Sequence, residues 1–128
     1  MDNVKINKKY NVSMAQKIEL WNLERLKPYE KNAREHSPEQ IAQIAASITE
    51  FGFLNPILVD SKDGIIAGHG RLSASKELAL DVVPVVVLDH LTEAQKKAYI
   101  LVDNKLAENA TWNESLLQEE IVALNLQD

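Results

Sequence analysis

The chain has 128 residues, 45 % apolar and 26 % charged, so one folded domain with its own core is expected and wholesale disorder is excluded. It has no cysteine, which excludes disulfides, thiolate nucleophiles and cysteine-ligated zinc, and no apolar run nears the ~20 residues that cross a bilayer. The net charge of −5 argues against a free-standing duplex binder, which needs a basic surplus, so any DNA contact is left to a local patch or a neighbouring domain.

Aromatic residues are only 5 %, so the core has to rest on Ile, Leu, Val and Ala. Residues 1–16 form a polar lead-in with Lys5, Lys8 and Lys9, and are expected to be flexible. No apolar h-region follows the first charges, so the segment does not read as a signal peptide, and a cytoplasmic location is expected. Residues 17–110 are expected to form the globular domain, and 111–128 a C-terminal helix.

Residues 18–23 alternate apolar and polar over part of their length and predict a strand. Pro28 and Asn32 mark an irregular stretch. Ser37, Pro38 and Gln40 form an N-cap, a first-turn proline and a capping box. Ile41, Ile44, Ala45, Ile48 and Phe51 then recur at helical spacing, and Gly52 ends the helix.

A strand is predicted over 55–60, a turn at Asp63-Gly64, and a returning strand over 65–67. A helix follows over 72–80, then a strand over 82–88 in which Pro84 marks a start or an edge. Thr92 and Gln95 form a second capping box, opening a helix whose apolar face is Ala94, Ala98, Leu101 and Val102. Asn113 caps a last helix, with Leu117, Ile121 and Leu124 expected to face inward. The order predicts an α/β (α+β) domain: a small mixed β-sheet with flanking helices and a helical C-terminal part.

The chemistry concentrates in Ile65-Ile66-Ala67-Gly68-His69-Gly70-Arg71-Leu72, where a strand runs through two glycines and an arginine into a helix. The first N–H groups of a helix lack internal partners and lie at the positive end of its dipole. Glycines let the backbone approach an anion, and an arginine adds a forked cationic donor. The run therefore describes a phosphate-binding corner. It is neither a Walker loop nor a GxGxxG fingerprint, and a tight turn whose Arg71 pairs with a nearby acid is the other reading.

Taken as an ordered set, these boxes resemble the ParB-like N-terminal domain of the ParB and sulfiredoxin superfamily, over roughly residues 18–110. Asn32-Ala33-Arg34 after Pro28 looks like the family's Pro-Arg box. Gly52-Phe53-Leu54-Asn55-Pro56-Ile57 looks like its G-x-x-x-P-I strand entry, and Gly68-His69-Gly70-Arg71 like its Gly-Glu-Arg-Arg phosphate box. Asp89-His90-Leu91 sits where the family has a Glu-Asn box.

The resemblance implies a nucleotide pocket for CTP or ATP, with Arg71 on the phosphates and Gly68 as the turn glycine. His69 stands in place of the family's glutamate, and Gly70 in place of its first arginine. Asp89 replaces the glutamate that helps hold Mg2+, and is thereby the candidate metal ligand. Three further runs, Ala67–Leu72, Leu91–Gln95 and Val102–Ala107, are similar to a subgroup found beside DNA methyltransferases, which implies DNA and a DNA methyltransferase domain as partners. Sulfiredoxin chemistry needs a cysteine and is excluded.

The candidate phosphate-binding residues are thus Gly68, His69, Gly70, Arg71 and Arg34, the last reaching in from the loop before the first long helix. The leading expectation is a regulatory nucleotide-binding module for DNA modification or partitioning. A metal-dependent nuclease or nucleotide hydrolase using His69 and Asp89 is one alternative; a docking module with a vestigial pocket is another. His36, just before a helix cap, reads as a surface residue, and three scattered histidines make no metal site. Asp103-Asn104-Lys105 lies inside a predicted helix, where Asp and Asn are disfavoured; a solvated face and a role toward the pocket both stay open.

Overall fold

The computed structural model describes residues 4–5, 12–32 and 34–127. Two short strands, β1 (Val4–Lys5) and β2 (Ser13–Met14), pair antiparallel within the polar lead-in, whose remaining residues 1–3 and 6–11 lie outside the described ones. The main sheet has β3 (Glu19–Asn22), β4 (Ile57–Val59), β5 (Ile65–Ala67) and β6 (Val82–Val87). A 3-10 turn, Leu23–Arg25, follows β3. The helices are α1 (Pro38–Phe51), α2 (His69–Glu77), α3 (Glu93–Asn109) and α4 (Glu114–Gln127).

The strand order is β3-β6-β4-β5, with β6 antiparallel to β3 and parallel to β4, and β4 antiparallel to β5. The sheet is mixed, as expected. No described helix is long and apolar enough to cross a membrane. Ile57, Val59, Val83 and Val85 are fully buried, and Trp21, Leu26, Ile65 and Leu72 close the core around them. Both capping boxes form: Ser37 and Thr92 each accept from the backbone N–H of the glutamine three residues on, and each glutamine side chain accepts in return.

Four expectations need correction. Helix α2 starts at His69, three residues earlier than predicted, because Gly68 takes a left-handed conformation (φ 109°) that any side chain would resist, and the helix turns directly out of β5. Pro84 lies inside an inner strand; it is tolerated because pairing to β4 begins only at Val85. Helix α3 turns Lys96, Ile100 and Asn104 to the body, leaving Ala94, Ala98, Leu101 and Val102 outside, because Lys96 is drawn into an ion pair with Asp60 (2.7 Å). Among the described side chains of α4 only Leu117 is partly covered, while Ile121 and Leu124 are exposed, since no described element buries that face.

Candidate functional site

The site grows from the passage of β5 into α2. The first helical bond of α2 runs from the Leu72 N–H to the Gly68 carbonyl (2.9 Å), so the N–H groups of His69, Gly70 and Arg71 precede the helical ladder. The absence of a side chain at Gly68 matters twice. Its φ is positive, and a Cβ there would lie 3.0 Å from Arg71 Nη2 and 3.1 Å from Ile57 Cγ1. The guanidinium therefore lies against the glycine. At Gly70, a Cβ would lie 2.8 Å from His36 Nε2 and 2.9 Å from Ile44 Cδ1. The bare backbone of the first helical turn is what admits the imidazole.

Arg71 is half-buried. Its Nη2 donates to the Pro56 carbonyl (3.0 Å), while its buried Nε has no hydrogen-bond partner among the described residues. Burial weakens the guanidinium's hold on its proton, and the Asp103 carboxylate opposes that. A buried, unpaired donor is costly unless something completes it.

The loop between the 3-10 turn and α1 folds over the same corner. The Tyr29 N–H donates to His69 Nε2 (3.0 Å), which fixes that nitrogen as the unprotonated acceptor and the neutral ring's proton on Nδ1. Arg34 Nη1 donates to Asn104 Oδ1 on α3 (3.3 Å), and the Tyr99 hydroxyl donates to Asp103 Oδ1 (3.3 Å). Burial, and then the neighbouring His36, hold His69 below the ordinary imidazole range. Burial, and then Arg34, do the same to His36.

These groups, Tyr29 apart, line one cavity of about 970 Å³ between α1, α2, α3 and the loop. All five residues expected at the phosphate corner, Gly68, His69, Gly70, Arg71 and Arg34, lie on its wall. Asp89 and His90 do not. They follow β6, whose exit is tied by the Leu88 N–H to the Val59 carbonyl (2.7 Å), and Asp89 is exposed there. The carboxylate that does reach the cavity is Asp103 of α3, with Asn104 beside it on the wall. Their signal in the sequence was a pair of polar residues in a helix interior. His36 also lines the cavity, against its reading as a surface residue.

Among the described lining residues Asp103 is the sole carboxylate, against Arg34 and Arg71, so the wall favours an anion. No group of three or more His, Asp or Glu that could hold a metal on its own occurs among the described residues. The donor set fits a nucleotide phosphate: N–H groups at a helix start that precede the helical ladder, a half-buried guanidinium whose buried Nε has no partner among the described residues, and a cavity of ligand size.

Comparison with known proteins agrees with this architecture. A ParB-like nuclease domain-containing protein, YnaK, of Escherichia coli is 55 % identical over 75 residues, covering 59 % of this chain and 86 % of that protein. A probable chromosome-partitioning protein ParB of Rickettsia bellii is 31 % identical over 88 residues; the match covers 68 % of this chain but 30 % of that protein. Among solved structures, a C-terminally truncated chromosome-partitioning ParB of Caulobacter crescentus complexed with CTP-γ-S superposes with a TM-score of 0.70 at 25 % identity, covering 88 % of this chain and 66 % of that one. The ParB N-terminal domain model matches residues 7–105, and the chain belongs to that family.

Proposed function

We propose that this domain binds a nucleoside triphosphate, CTP or ATP, with its phosphates seated on the first turn of α2, and that binding regulates a DNA transaction. The observation that carries the reading is the buried Arg71 Nε, without a partner among the described residues, beside the N–H groups of His69, Gly70 and Arg71 that precede the helical ladder. A phosphate oxygen is the group that completes these donors together. The Caulobacter relative's complex with a CTP analogue supports the choice of ligand.

In this reading Arg71 contacts the phosphates directly, and Arg34 exchanges its bond to Asn104 for one to the ligand. His69 keeps the loop docked through Tyr29. Magnesium, when it accompanies the nucleotide, neutralises phosphate charge and takes most of its ligands from phosphate and water; Asp103, rather than Asp89, is the carboxylate on the cavity wall. Because Arg34 bridges to α3, filling the cavity alters how α3 is held. DNA is reached through a partner or a further domain, in keeping with the net charge of −5. A DNA methyltransferase partner has its support in the sequence runs Ala67–Leu72, Leu91–Gln95 and Val102–Ala107.

The test is a thermal-shift titration with CTP, ATP and inorganic phosphate, with and without magnesium. Ligand bound to the native state raises the unfolding temperature. The expected result is a rise with a nucleoside triphosphate that disappears in Arg71→Ala. An Arg71→Ala protein that responds like the parent would overturn the assignment.

A further inference from the structure

His36 comes from a different part of the chain than the phosphate corner, yet its imidazole rests on it. The ring shares with Ile44 Cδ1 (2.9 Å) the space beside Gly70 where a side chain would otherwise stand; of the ring atoms Nε2 lies nearest the missing Cβ (2.8 Å), then Cδ2 (3.0 Å). Gly70 is the second residue of α2, so the ring edge carrying Nε2 lies against the turn whose N–H groups precede the helical ladder. His36 lines the same cavity as Arg71 and Arg34.

We propose that His36 is a ligand-binding residue of this site, which takes up a proton from solvent as the phosphate arrives and donates that hydrogen from Nε2 to a phosphate oxygen. The inference rests on the nucleotide-binding reading and adds to it a residue and a linked proton.

The surroundings of the ring decide which way it titrates. From its own loop Arg34 faces it, with Glu35 beside it in the chain; α2 contributes His69 and Arg71; α3 contributes Tyr99 and Asp103. The residues of α1 on this wall, Gln40, Gln43, Ile44 and Ser47 among them, carry no charge. With no ligand, burial and Arg34 keep the ring below the ordinary imidazole range, so it is neutral near pH 7. A phosphate reverses that balance by placing negative charge against the ring.

The proton goes to His36 and not to His69, because His69 Nε2 already accepts from the Tyr29 N–H and a protonated nitrogen there breaks that bond. The sign follows. The bound-state pKa of His36 exceeds its free-state value, so affinity rises as pH falls from the first to the second, by at most about tenfold per pH unit for one proton, and levels off outside that window.

Calorimetric titration of the whole chain with CTP, near neutral pH and in buffers of different ionisation enthalpy, reads both affinity and proton uptake. The terminal phosphate itself titrates near pH 6, so the difference between parent and His36→Gln isolates the side chain. The expected result is net uptake in the parent, lost in His36→Gln together with roughly tenfold or more in affinity, the scale of one charge-assisted hydrogen bond. Gly70→Ala should reproduce the loss while folding normally, since its methyl group displaces only the tips of the His36 and Ile44 side chains. Equal proton uptake in parent and His36→Gln, equal affinity in the two, or full parental uptake in Gly70→Ala, each overturns the role of His36. A parent chain that binds no CTP at any pH overturns the nucleotide reading itself, and this inference with it.

Discussion

The sheet and the C-terminal arm are both rich in aliphatic residues, yet they are held in opposite ways. In the sheet, β4 and β6 drive Ile57, Val59, Val83 and Val85 to zero exposure between β3, β5 and the helices that cover them. In the arm, α3 buries Ile100, and α4 leaves Leu116, Ile121, Val122 and Leu124 between 43 and 61 % exposed. Apolar composition alone does not make a core; the residues need a second surface at the right distance. The sheet has one, and the arm is instead tied on by specific contacts. Those ties include Ile100, the Lys96–Asp60 pair and the Arg34–Asn104 bond. The last of these belongs to the phosphate corner, so the arm's attachment and the site's occupancy share a residue.

The contrast breaks most visibly in the sheet. Ile57→Ala removes a fully buried side chain between β6 and the Gly68 corner, and should cost about 2–5 kcal/mol in urea unfolding. It should also weaken CTP binding, because Ile57 Cγ1 packs where Gly68 makes its turn. A cost below about 1 kcal/mol would mean that the site collapses around the vacancy and that the core is less rigid than its burial implies.

How far the sequence disclosed this arrangement depends on how local each determinant is. The two capping boxes, the Asp-Gly turn and the strand–glycine corner are signals within a few residues; the boxes and the turn appear where they were expected, and the corner does so with its helix starting inside the run, at His69. The face of α3 was misread because periodicity favoured Leu101 and Val102, whereas the orientation is set by Lys96 reaching Asp60, 36 residues away. Trp21 turns inward while Leu20 faces solvent, a register fixed by pairing with Val83 and not by hydrophobicity. His36 was passed over because its contact is with Gly70, across the fold, and a glycine gives no hint of the ring it admits. The carboxylate of the site was sought at Asp89, directly after a strand. It lies at Asp103, where an unfavourable pair of residues in a helix was the only trace.

The tie between arm and sheet is the next largest effect. Asp60 accepts from the Lys62 and Gly64 N–H groups (both 2.8 Å) and from Lys96 Nζ (2.7 Å), so it shapes the β4–β5 turn and anchors α3 at once. Asp60→Asn keeps an acceptor for the turn but loses the ion pair, and Lys96 retains Glu93 (2.6 Å). The expected cost is about 1–2 kcal/mol, at the scale of a hydrogen bond to a charged group and below that of a fully buried pair. Burial pushes the Asp60 carboxyl up, but Lys96 and the two N–H groups outweigh it and hold it below the ordinary carboxylate range. A depressed folded-state pKa means that this stability is present above the unfolded-state value and is lost as pH falls, here below about pH 4. Urea unfolding against pH should show that acid loss in the parent and a smaller one in Asp60→Asn; equal slopes would remove Asp60 as the anchor.

The smallest effect belongs to α4, and its smallness is the point. Ile121→Ser substitutes a hydroxyl for a side chain that is 43 % exposed. If α4 is tied on and not packed, the change should move stability by no more than about 0.5 kcal/mol, as at other surface positions. The same substitution type at a sheet position of similar volume, such as Val59, would bury an unpaired hydroxyl and fall in the several-kcal/mol class. A loss above about 1.5 kcal/mol at Ile121 would show that the helix buries this face in solution, and that arm and sheet are one cooperative unit. A loss within the small range leaves α3 as the part of the arm that is held to the body, through Ile100, Lys96 and the exchangeable bond between Arg34 and Asn104 at the phosphate corner.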